Sequence, residues 1–418
     1  MARLRDSATL RALRHRNFQL FFAGQLISLV GTWMQNVAQS WLVYRLTGSS
    51  ALLGLVSFVG QIPVLLLSPV GGYAADRWNR RTVVILTQSI SMVLALALAG
   101  LTLTNTIQIR EVFVLAALLG VVNSFDIPAR QSFLVEMVGK EDMINAIALN
   151  SSMFNGARIA GPAIAGILVA QIGEGWCFFA NGISYIAVIG GLLAMRMGPF
   201  QPAPRSLSAF HTIREGFRYV ARTGPVLALL SIVGVLSFAG LPYLVLMPIY
   251  ADSIFHEGPA GLGILMGVAG LGALIGALLL ASRTVLTGLT RWVALAMVIF
   301  GITLGAFAYS RSLWFSCAML LLMGFTGMIQ MGAANTLIQS MVPDYLRGRV
   351  MSVYSMMYMG VGPFGAMFAG FAADDFGAPA TLAVGAGTCL IAAAIYVWRL
   401  PGIRAGAREL LRAESART

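Results

Sequence analysis

Long apolar runs separated by short polar segments dominate the hydrophobic pattern of this chain. A helix needs about 20 apolar residues to cross the hydrocarbon layer of a bilayer, and twelve runs approach or exceed that length. We therefore predict an all-α integral membrane protein with twelve transmembrane helices. The runs lie near 18–45, 52–75, 82–104, 112–136, 144–172, 177–197, 225–250, 259–282, 292–309, 313–341, 350–373 and 379–399.

The composition excludes several classes of protein. Hydrophobic residues make up 58% of the 418 residues and charged residues only 11%, whereas soluble proteins carry about 25% charged residues. A water-soluble enzyme, a disordered chain and a disulfide scaffold are therefore excluded. Cys177, Cys317 and Cys389 all lie in apolar runs, a pattern that suggests neither a metal cluster nor a disulfide framework.

The distribution of the basic residues orients the predicted helices. Of the 28 basic residues, Arg45, Arg110 and Arg311 fall in loops on one side, and Arg130 and Arg158 lie within runs. All the others lie on the opposite side, which the positive-inside rule makes cytoplasmic. Both termini are then cytoplasmic. Because the net charge of +12 is not arranged as a stripe with interleaved aromatic residues, we expect no nucleic-acid partner.

An internal repeat divides the helices into two sets of six. Residues 133–138 (FLVEMV) resemble 337–342 (LIQSMV), and Gly161-Pro162 has a counterpart in Gly362-Pro363. The offsets of 204 and 201 residues are close to half the chain length. We predict two pseudo-symmetric six-helix bundles, 1–197 and 224–400, joined by a cytoplasmic loop at 198–223 and followed by a basic tail at 401–418. Parallel repeats of this kind bind substrate between them and alternate access by rocking.

The loop after the second run resembles the signature of the major facilitator superfamily. That signature is a glycine, an acid four residues later, a basic residue and then a basic pair. The family assigns these positions to a cytoplasmic gate, although arginines there also keep the loop on the cytoplasmic side of the membrane. Asn79 departs from the glycine often found there. The matching residues are Gly72, Asp76, Arg77, Arg80 and Arg81.

Towards its end, the fourth run contains an Asp-x-Pro-x-Arg motif, Asp126 to Arg130. This motif resembles the branch of the superfamily that contains the enterobactin exporter and related bacterial drug and macrolide efflux proteins. Another family signature in this run, an arginine four residues before a glycine, is absent, because Ala116 precedes Gly120 at that distance. The roles of that arginine in proton-coupled exporters therefore do not carry over.

Ionisable side chains within membrane spans indicate function, because each costs at least about 2.5–3.5 kcal/mol to insert. Asp126 and Arg130 share a helix face at i and i+4. We predict that Asp126 couples to protons while its charge is held by Arg130 or Arg158. A conformational change that separates the pair would drive its protonation. The alternative is that Asp126 caps a helix that restarts at Pro128.

Polar residues at helical spacing follow one face of the first run: Gln25, Ser28, Thr32, Gln35 and Gln39. Unsatisfied amides facing lipid are costly, so this stripe is expected to face a substrate cavity or a neighbouring helix as packing contacts. The remaining candidates for lining a substrate cavity are Asn123, Asn155, Phe238, Tyr243, Gln330, Tyr354 and Tyr358.

The expected function is secondary transport. The single lysine, Lys140, lies in no phosphate-binding loop, so we expect no ATP hydrolysis, no cofactor, no metal and no enzymatic activity. The resemblance implies a monomeric permease of the bacterial inner membrane, which exports an amphiphilic small molecule such as a siderophore or drug in exchange for protons. An importer, a uniporter or a non-transporting ligand sensor are the alternatives.

Overall fold

The computed structural model describes residues 8–139, 141–198, 209–282 and 288–415 of the chain. Within these ranges every element of regular secondary structure is helical. A short 3-10 helix, Ala8–Arg14, precedes the first long helix. The first six long helices are α1 (Arg16–Thr47), α2 (Ser50–Arg77), α3 (Arg80–Leu103), α4 (Ile109–Val138), α5 (Met143–Ile172) and α6 (Glu174–Leu193).

The second set begins with an amphipathic helix, in a region where the sequence predicts a loop. Of the expected loop 198–223, residues 199–208 lie outside the described ranges, and α7 occupies Ala209–Arg222. The expected basic tail is also helical through Ser415, because α13 continues past Pro401. The helices after α7 are α8 (Gly224–Ile254), α9 (Gly258–Ala281), α10 (Leu289–Ala308), α11 (Leu313–Met341), α12 (Asp344–Phe376) and α13 (Ala378–Ser415).

Eleven of the described helices are long and apolar enough to cross a membrane. They are α2 to α6 and α8 to α13. Most of their bounds agree within a few residues with the apolar runs of the sequence, but α12 begins six residues before its run and α13 continues well past residue 399. The helix α1 is 32 residues long but is not among the eleven. Its polar residues lower its mean hydropathy, because four glutamines and two asparagines interrupt its apolar positions.

The chain divides into two compact units. Unit 1 comprises Met1–Gly48, Val59–Arg205 and His256–Gly267, and unit 2 comprises Ser49–Phe58, Ser206–Phe255 and Val268–Thr418. In unit 1, α6 packs against α1 and α3, and α5 packs against α1. One core cluster of this unit is built from aromatic and aliphatic side chains, among them Phe18, Phe21, Phe133 and Met137.

Glycines allow helices to meet backbone to backbone in each unit, as membrane helices often do. In unit 1, a Cβ placed on Gly120 of α4 would lie 2.3 Å from the carbonyl oxygen of Gly60 on α2. In unit 2, a Cβ on Gly324 of α11 would lie 2.0 Å from the carbonyl oxygen of Ala269 on α9. The two glycines are 204 residues apart, which is the offset of the sequence repeat.

The start of α2 is held within unit 2 by the end of α12. The backbone N–H of Ser50 donates to Oδ1 of Asp374 at 2.6 Å, and the Ser49 hydroxyl donates to Oδ2 at 2.7 Å. A carboxylate at this position satisfies the unpaired N–H groups of a helix N-terminus. One turn further along, Gly54 and Gly370 leave room for the two backbones to touch.

Candidate functional site

Asp126 lies inside a continuous helix and is almost completely buried. The α4 helix runs from Ile109 to Val138 without a break at Pro128, so the alternative of a helix restarting at Pro128 does not hold. At 1.5 Å per residue, Asp126 is about 26 Å from the start of α4. Its residue is only 3% exposed. A carboxylate is therefore held deep in an apolar helix bundle, where each of its lone pairs needs a partner.

Three side chains satisfy the carboxylate of Asp126. Oδ1 accepts hydrogen bonds from the Thr87 hydroxyl at 2.8 Å and from the Gln88 side-chain amide at 2.9 Å. Oδ2 lies 3.2 Å from Nε of Arg130, one turn further along α4. All three partners donate, which is what an ionised aspartate can accept. The site therefore surrounds a buried carboxyl group with neutral polar side chains and one guanidinium.

Arg130 rather than Arg158 closes this ion pair. No contact between Arg158 and Asp126 within ion-pair distance occurs in the described part of the chain, and Arg158 is half-buried on α5. Of the two partners that the sequence left open for Asp126, the structure brings only Arg130 to it.

The polar stripe of α1 leads towards the same carboxylate through α6. The Asn181 amide donates to Oε1 of Gln35 at 2.7 Å, and Gly31 leaves the room that Asn181 needs, since a Cβ there would lie 2.5 Å from its Oδ1. One turn along α6, Tyr185 interacts with Thr32, Ser91, Asn181 and Asp126. We call the buried residues Gln35, Asn181, Tyr185, Ser91, Gln88, Thr87 and Asp126 the polar track of unit 1.

The other stripe residues of α1 are placed unevenly. Gln25 and Ser28 are buried with Gln35, and Oε1 of Gln25 has no hydrogen-bond partner among the described residues. Thr32 and Gln39 are half-buried. For Gln35, whose amide is paired with α6, the contacts match the packing interpretation of the stripe, while Gln25 keeps an unused acceptor.

In the loop motif, Arg80 connects three helices. Its guanidinium lies 3.7 Å from Oδ1 of Asp76 at the end of α2 and 2.5 Å from Oε1 of Glu136 on α4. Its Nε also donates to the carbonyl oxygen of Ala75 at 3.0 Å. The sequence motif contains Asp76 and Arg80 but gives no sign of Glu136. A charge network rather than a single pair therefore holds this end of unit 1.

The two other arginines of the motif have different contacts. Arg81 donates to the last carbonyl oxygens of α6, Leu192 at 2.8 Å and Leu193 at 3.0 Å. Cations at a helix C-terminus are stabilised by the unpaired carbonyls there. Arg77 lies over the ring of Tyr73, 5.4 Å from its centroid. Arg81 therefore ties α3 to α6, whereas Arg77 remains at the surface of the unit.

Asn79 replaces the expected motif glycine without strain. Its φ is −59°, and its side chain caps α3 by accepting from the backbone N–H of Thr82 at 3.3 Å. Asparagine is a preferred N-cap residue. The neighbouring glycines also differ, because a Cβ on Gly71 would lie 1.9 Å from the Ser124 carbonyl oxygen, whereas one on Gly72 meets open space.

The candidates in unit 2 separate into buried and exposed residues. Tyr243, Gln330 and Tyr354 are buried, while Phe238 and Tyr358 are exposed. Tyr243 packs edge-on against Phe300, and the Tyr354 hydroxyl donates to the Met331 carbonyl oxygen at 3.2 Å. Both side-chain polar atoms of Gln330 lack a partner among the described residues.

The two exposed candidates lie in π-helical segments. Phe238 belongs to the segment Leu236–Gly240 of α8 and Tyr358 to the segment Met356–Gly360 of α12. These segments contact one another within unit 2. Single π turns occur often at functional sites. A Cβ on Gly365 would lie 2.1 Å from the carbonyl oxygen of Phe238, so the two helices meet closely at this point.

Two further candidates have no partner in the polar track. Asn123 is half-buried on α4. Asn155 is half-buried on α5 and donates to the Ser151 carbonyl oxygen at 2.8 Å in its own helix. These placements leave their role in substrate binding a prediction.

Sequence reasoning missed the donors on α3 and α6 that complete the site. Thr87, Gln88 and Ser91 are polar residues one turn apart in an apolar helix, which is the same signal that revealed the stripe on α1. Asn181 and Tyr185 repeat it at i and i+4. Polar spacing within these spans could have found the polar track, but no pattern within one helix could pair it with Asp126.

Comparison with known proteins identifies one family over nearly the whole chain. Residues 7–413 match the family described as transmembrane secretion effector, of the major facilitator superfamily. The staphyloferrin A transporter of Staphylococcus aureus is 27% identical over 90% of this chain and 94% of its own. The multidrug efflux pump Tap of Mycolicibacterium fortuitum is 27% identical over 87% and 90%, and the enterobactin exporter EntS of Salmonella choleraesuis is 25% identical over 82% of both chains.

Solved structures agree with this assignment at the level of the fold. A peptide transporter POT in complex with sulfate superposes with a TM-score of 0.76 over 93% of this chain and 94% of that one, at 14% identity. The nucleoside transporter NupG superposes with a TM-score of 0.72 over 92% and 98%, at 13% identity. The family match covers nearly every residue, and the loop motif and the membrane helices agree with it. The chain is therefore a multi-pass membrane transporter that belongs to the transmembrane secretion effector family of the major facilitator superfamily.

Proposed function

We propose that the protein is a proton-coupled exporter of amphiphilic small molecules with twelve membrane spans. In this topology α1 is the first span, the eleven apolar helices follow, and α7 lies at the cytoplasmic surface between two six-helix halves. The bias of arginine towards one set of loops supports cytoplasmic termini. The bacterial relatives support the inner membrane as the location, and we propose a monomer as the working unit.

The observation that carries the coupling proposal is the caged carboxylate of Asp126. An ionisable residue in a membrane span is a functional candidate by default, and Asp126 is held by one guanidinium and two neutral donors. If transport separates α3 from α4, Asp126 loses both neutral donors while Arg130 stays on its own helix. The carboxylate would then take up a proton on one side of the membrane and release it when the cage reforms.

The polar track supplies a route between this carboxylate and the stripe on α1. Tyr185 interacts with groups on α1, α3, α4 and α6, so a shift of any of these helices changes its partners. We propose that substrate binding near the stripe reaches Asp126 through Tyr185. The arginines of the loop motif, with Asp76 and Glu136, would form the cytoplasmic gate.

The proposed substrates are siderophores or drugs, as the names of the similar proteins suggest. The staphyloferrin A transporter, the enterobactin exporter and the Tap efflux pump are described by such cargo. The candidate lining residues in unit 2 are aromatic or amide side chains without a formal charge. Such a surface suits an apolar or aromatic ligand that is not held by ion pairs.

The first test identifies the transported compound. Small molecules are profiled inside cells that lack the protein and in cells that overproduce it, each with and without a protonophore. We expect one class of compound to accumulate in the deletion cells, and the protonophore to abolish its export by the overproducing cells. Cargo that enters faster in the overproducing cells would instead establish an importer.

The coupling is then tested in everted membrane vesicles with the compound so identified. Asp126→Asn keeps the size of the side chain but cannot carry the proton, and we expect it to reduce pH-gradient-driven uptake at least tenfold. Asp375→Asn is the matched control, since Asp375 is exposed at the end of α12. Full gradient-driven uptake by the Asp126→Asn protein would show that the coupling proposal is wrong.

A further inference from the structure

A groove of about 680 Å³ lies along α8 and α13 in unit 2. Its walls are mostly apolar, and the polar groups within it are few. Its lining includes Gly224, Ser231, Tyr396, Trp398, Arg399 and Gly402. Its volume falls in the range of about 300–1,000 Å³ that is typical of small-molecule sites.

The groove lies at one end of the membrane-spanning part of α13. Arg399 follows the start of α13 by 21 residues, which is about 31 Å at 1.5 Å per residue. That distance equals the thickness of the hydrocarbon layer. Arg399 is therefore placed where a span meets the headgroups, on the side that carries most of the arginines.

The basic charge at this end is not neutralised. Arg399 is exposed beside the ring of Trp398, with its guanidinium carbon 5.9 Å from the centroid. In the described part of the chain it forms no ion pair. Further along α13, Arg404 is close enough to Arg291 and Arg408 for their like charges to repel. Arg399 lines the groove, whereas Arg404 and Arg408 lie beyond it, with Glu409 next to Arg408. A guanidinium without an ion-pair partner attracts anions.

Tyr396 lines the groove and also carries a buried hydroxyl that is unused. The Tyr396 residue is 4% exposed, and its hydroxyl has no hydrogen-bond partner among the described residues. Buried tyrosine hydroxyls normally find a partner. A ligand with an acceptor oxygen near Tyr396 and an apolar body along α8 would satisfy both the hydroxyl and the walls.

Helix contacts and glycines shape the two sides of the groove. A Cβ on Gly406 would lie 2.8 Å from Pro225, so α13 and the start of α8 are in contact below the groove. By contrast, a Cβ on Gly224 or on Gly402 meets nothing within 4 Å. Two glycines therefore leave open a space that side chains would fill.

We propose that this groove binds an anionic phospholipid of the cytoplasmic leaflet. The acyl chain lies against the apolar walls, the phosphate pairs with Arg399, and an ester or phosphate oxygen accepts the hydrogen bond of Tyr396. Basic pockets between membrane helices on the cytoplasmic side recognise such headgroups. The site is separate from Asp126 and does not depend on which compound is transported.

The test uses the purified full-length protein, stripped of lipid in detergent and titrated with phosphatidylglycerol or phosphatidylcholine. Native mass spectrometry counts the lipids bound. We expect the wild-type protein to bind one phosphatidylglycerol more tightly than phosphatidylcholine. Arg399→Gln should reduce that preference about fivefold, the effect of one basic residue at an anionic membrane surface. Equal binding of the two lipids by the wild-type protein would overturn the proposal.

Three further variants test the geometry. Gly402→Leu fills the groove and should weaken phosphatidylglycerol binding at least tenfold, whereas Gly387→Leu, elsewhere on α13 with open space at its Cβ, should not. Tyr396→Phe should weaken it about two- to tenfold, the range for one hydrogen bond. Wild-type binding by Gly402→Leu would overturn the site, and wild-type binding by Tyr396→Phe would overturn the role of the hydroxyl. Unfolding temperatures of all variants check that each remains folded.

Discussion

The interiors of the two units solve the problem of buried polar groups in different ways. In unit 1, polar side chains on four helices pair with one another around Asp126. In unit 2, the amide of Gln330 is fully buried with neither atom paired among the described residues, and aromatic contacts such as Tyr250 on Phe307 fill the interior. Unit 1 also contains buried acceptors without a partner among the described residues, Oε1 of Gln25 and Oε1 of Gln88. The difference between the units is therefore the hydrogen-bonded network around Asp126 in unit 1, and not the presence of unpaired polar atoms.

Backbone packing is the one respect in which the two units should behave alike. Gly71→Ala in unit 1 and Gly324→Ala in unit 2 each place a Cβ within 2.0 Å of a carbonyl oxygen. Because two helix backbones must separate, we expect each variant to lose about 3 kcal/mol or more of stability. Thermal unfolding in detergent measures the loss. Gly72→Ala is the control, since its Cβ meets open space, and equal stability of all three would contradict the packing.

The next prediction concerns the polar track. Gln35→Leu removes the acceptor of Asn181 and leaves a buried amide without its partner. We expect a loss of about 1–2 kcal/mol in the free energy of unfolding, because the buried amide of Asn181 would remain desolvated without a hydrogen-bond acceptor. Chemical unfolding in detergent, followed by tryptophan fluorescence, gives the value. Exposed Asn36→Leu on the same helix is a control expected to cost less than half as much.

In unit 2, a glutamine-to-leucine substitution should raise the stability of the protein rather than lower it. Gln330→Leu removes two buried polar atoms that have no partner, so we expect a gain of about 1 kcal/mol in stability. If Gln330 holds substrate, the more stable protein should also transport less. A destabilised Gln330→Leu protein would show that the amide has a partner in solution and would narrow the difference between the units.

The smallest expected loss of stability comes from a contact of the helix α7. Arg349 on α12 pairs with Glu215 on α7, and Gly216 lets α7 approach the backbone of α12. Arg349→Gln should cost less than about 1 kcal/mol, because the pair is partly exposed. We expect faster proteolysis in the segment before α7 rather than a change in unfolding temperature. Arg218→Gln on α7 serves as the control.

Much of the fold follows from the sequence because the bilayer restricts it so strongly. Twelve apolar runs predicted the positions of the long helices, most of them within a few residues. The offset of the repeat also relates Gly120 to Gly324, whose close helix contacts only the structure revealed. The prediction of a loop at the amphipathic helix α7 was wrong, because the composition of this segment is polar. Its periodicity was present in the sequence, but hydropathy alone does not reveal it.

The candidate site was only partly predictable. Asp126 and Arg130 stood out because charge in an apolar run is rare, and their spacing put them on one face. Thr87 and Gln88 could not be joined to Asp126, nor Glu136 to Arg80, since these pairings depend on how α3 and α4 pack together. The π-helical segments around Phe238 and Tyr358 also leave no local signature, because they form where packing holds the helices off the regular period.

Those π-helical segments have a genetic consequence. A π turn holds one residue more than an α turn, so the loss of a single codon within 356–360 would let α12 close into an ordinary α-helix. Everything beyond would then rotate by about 100° and advance by about 1.5 Å. Gly370 and Asp374 would turn away from the first residues of α2 that they contact. Deletions there should be rarer among descendants of this gene than any substitution at the same positions.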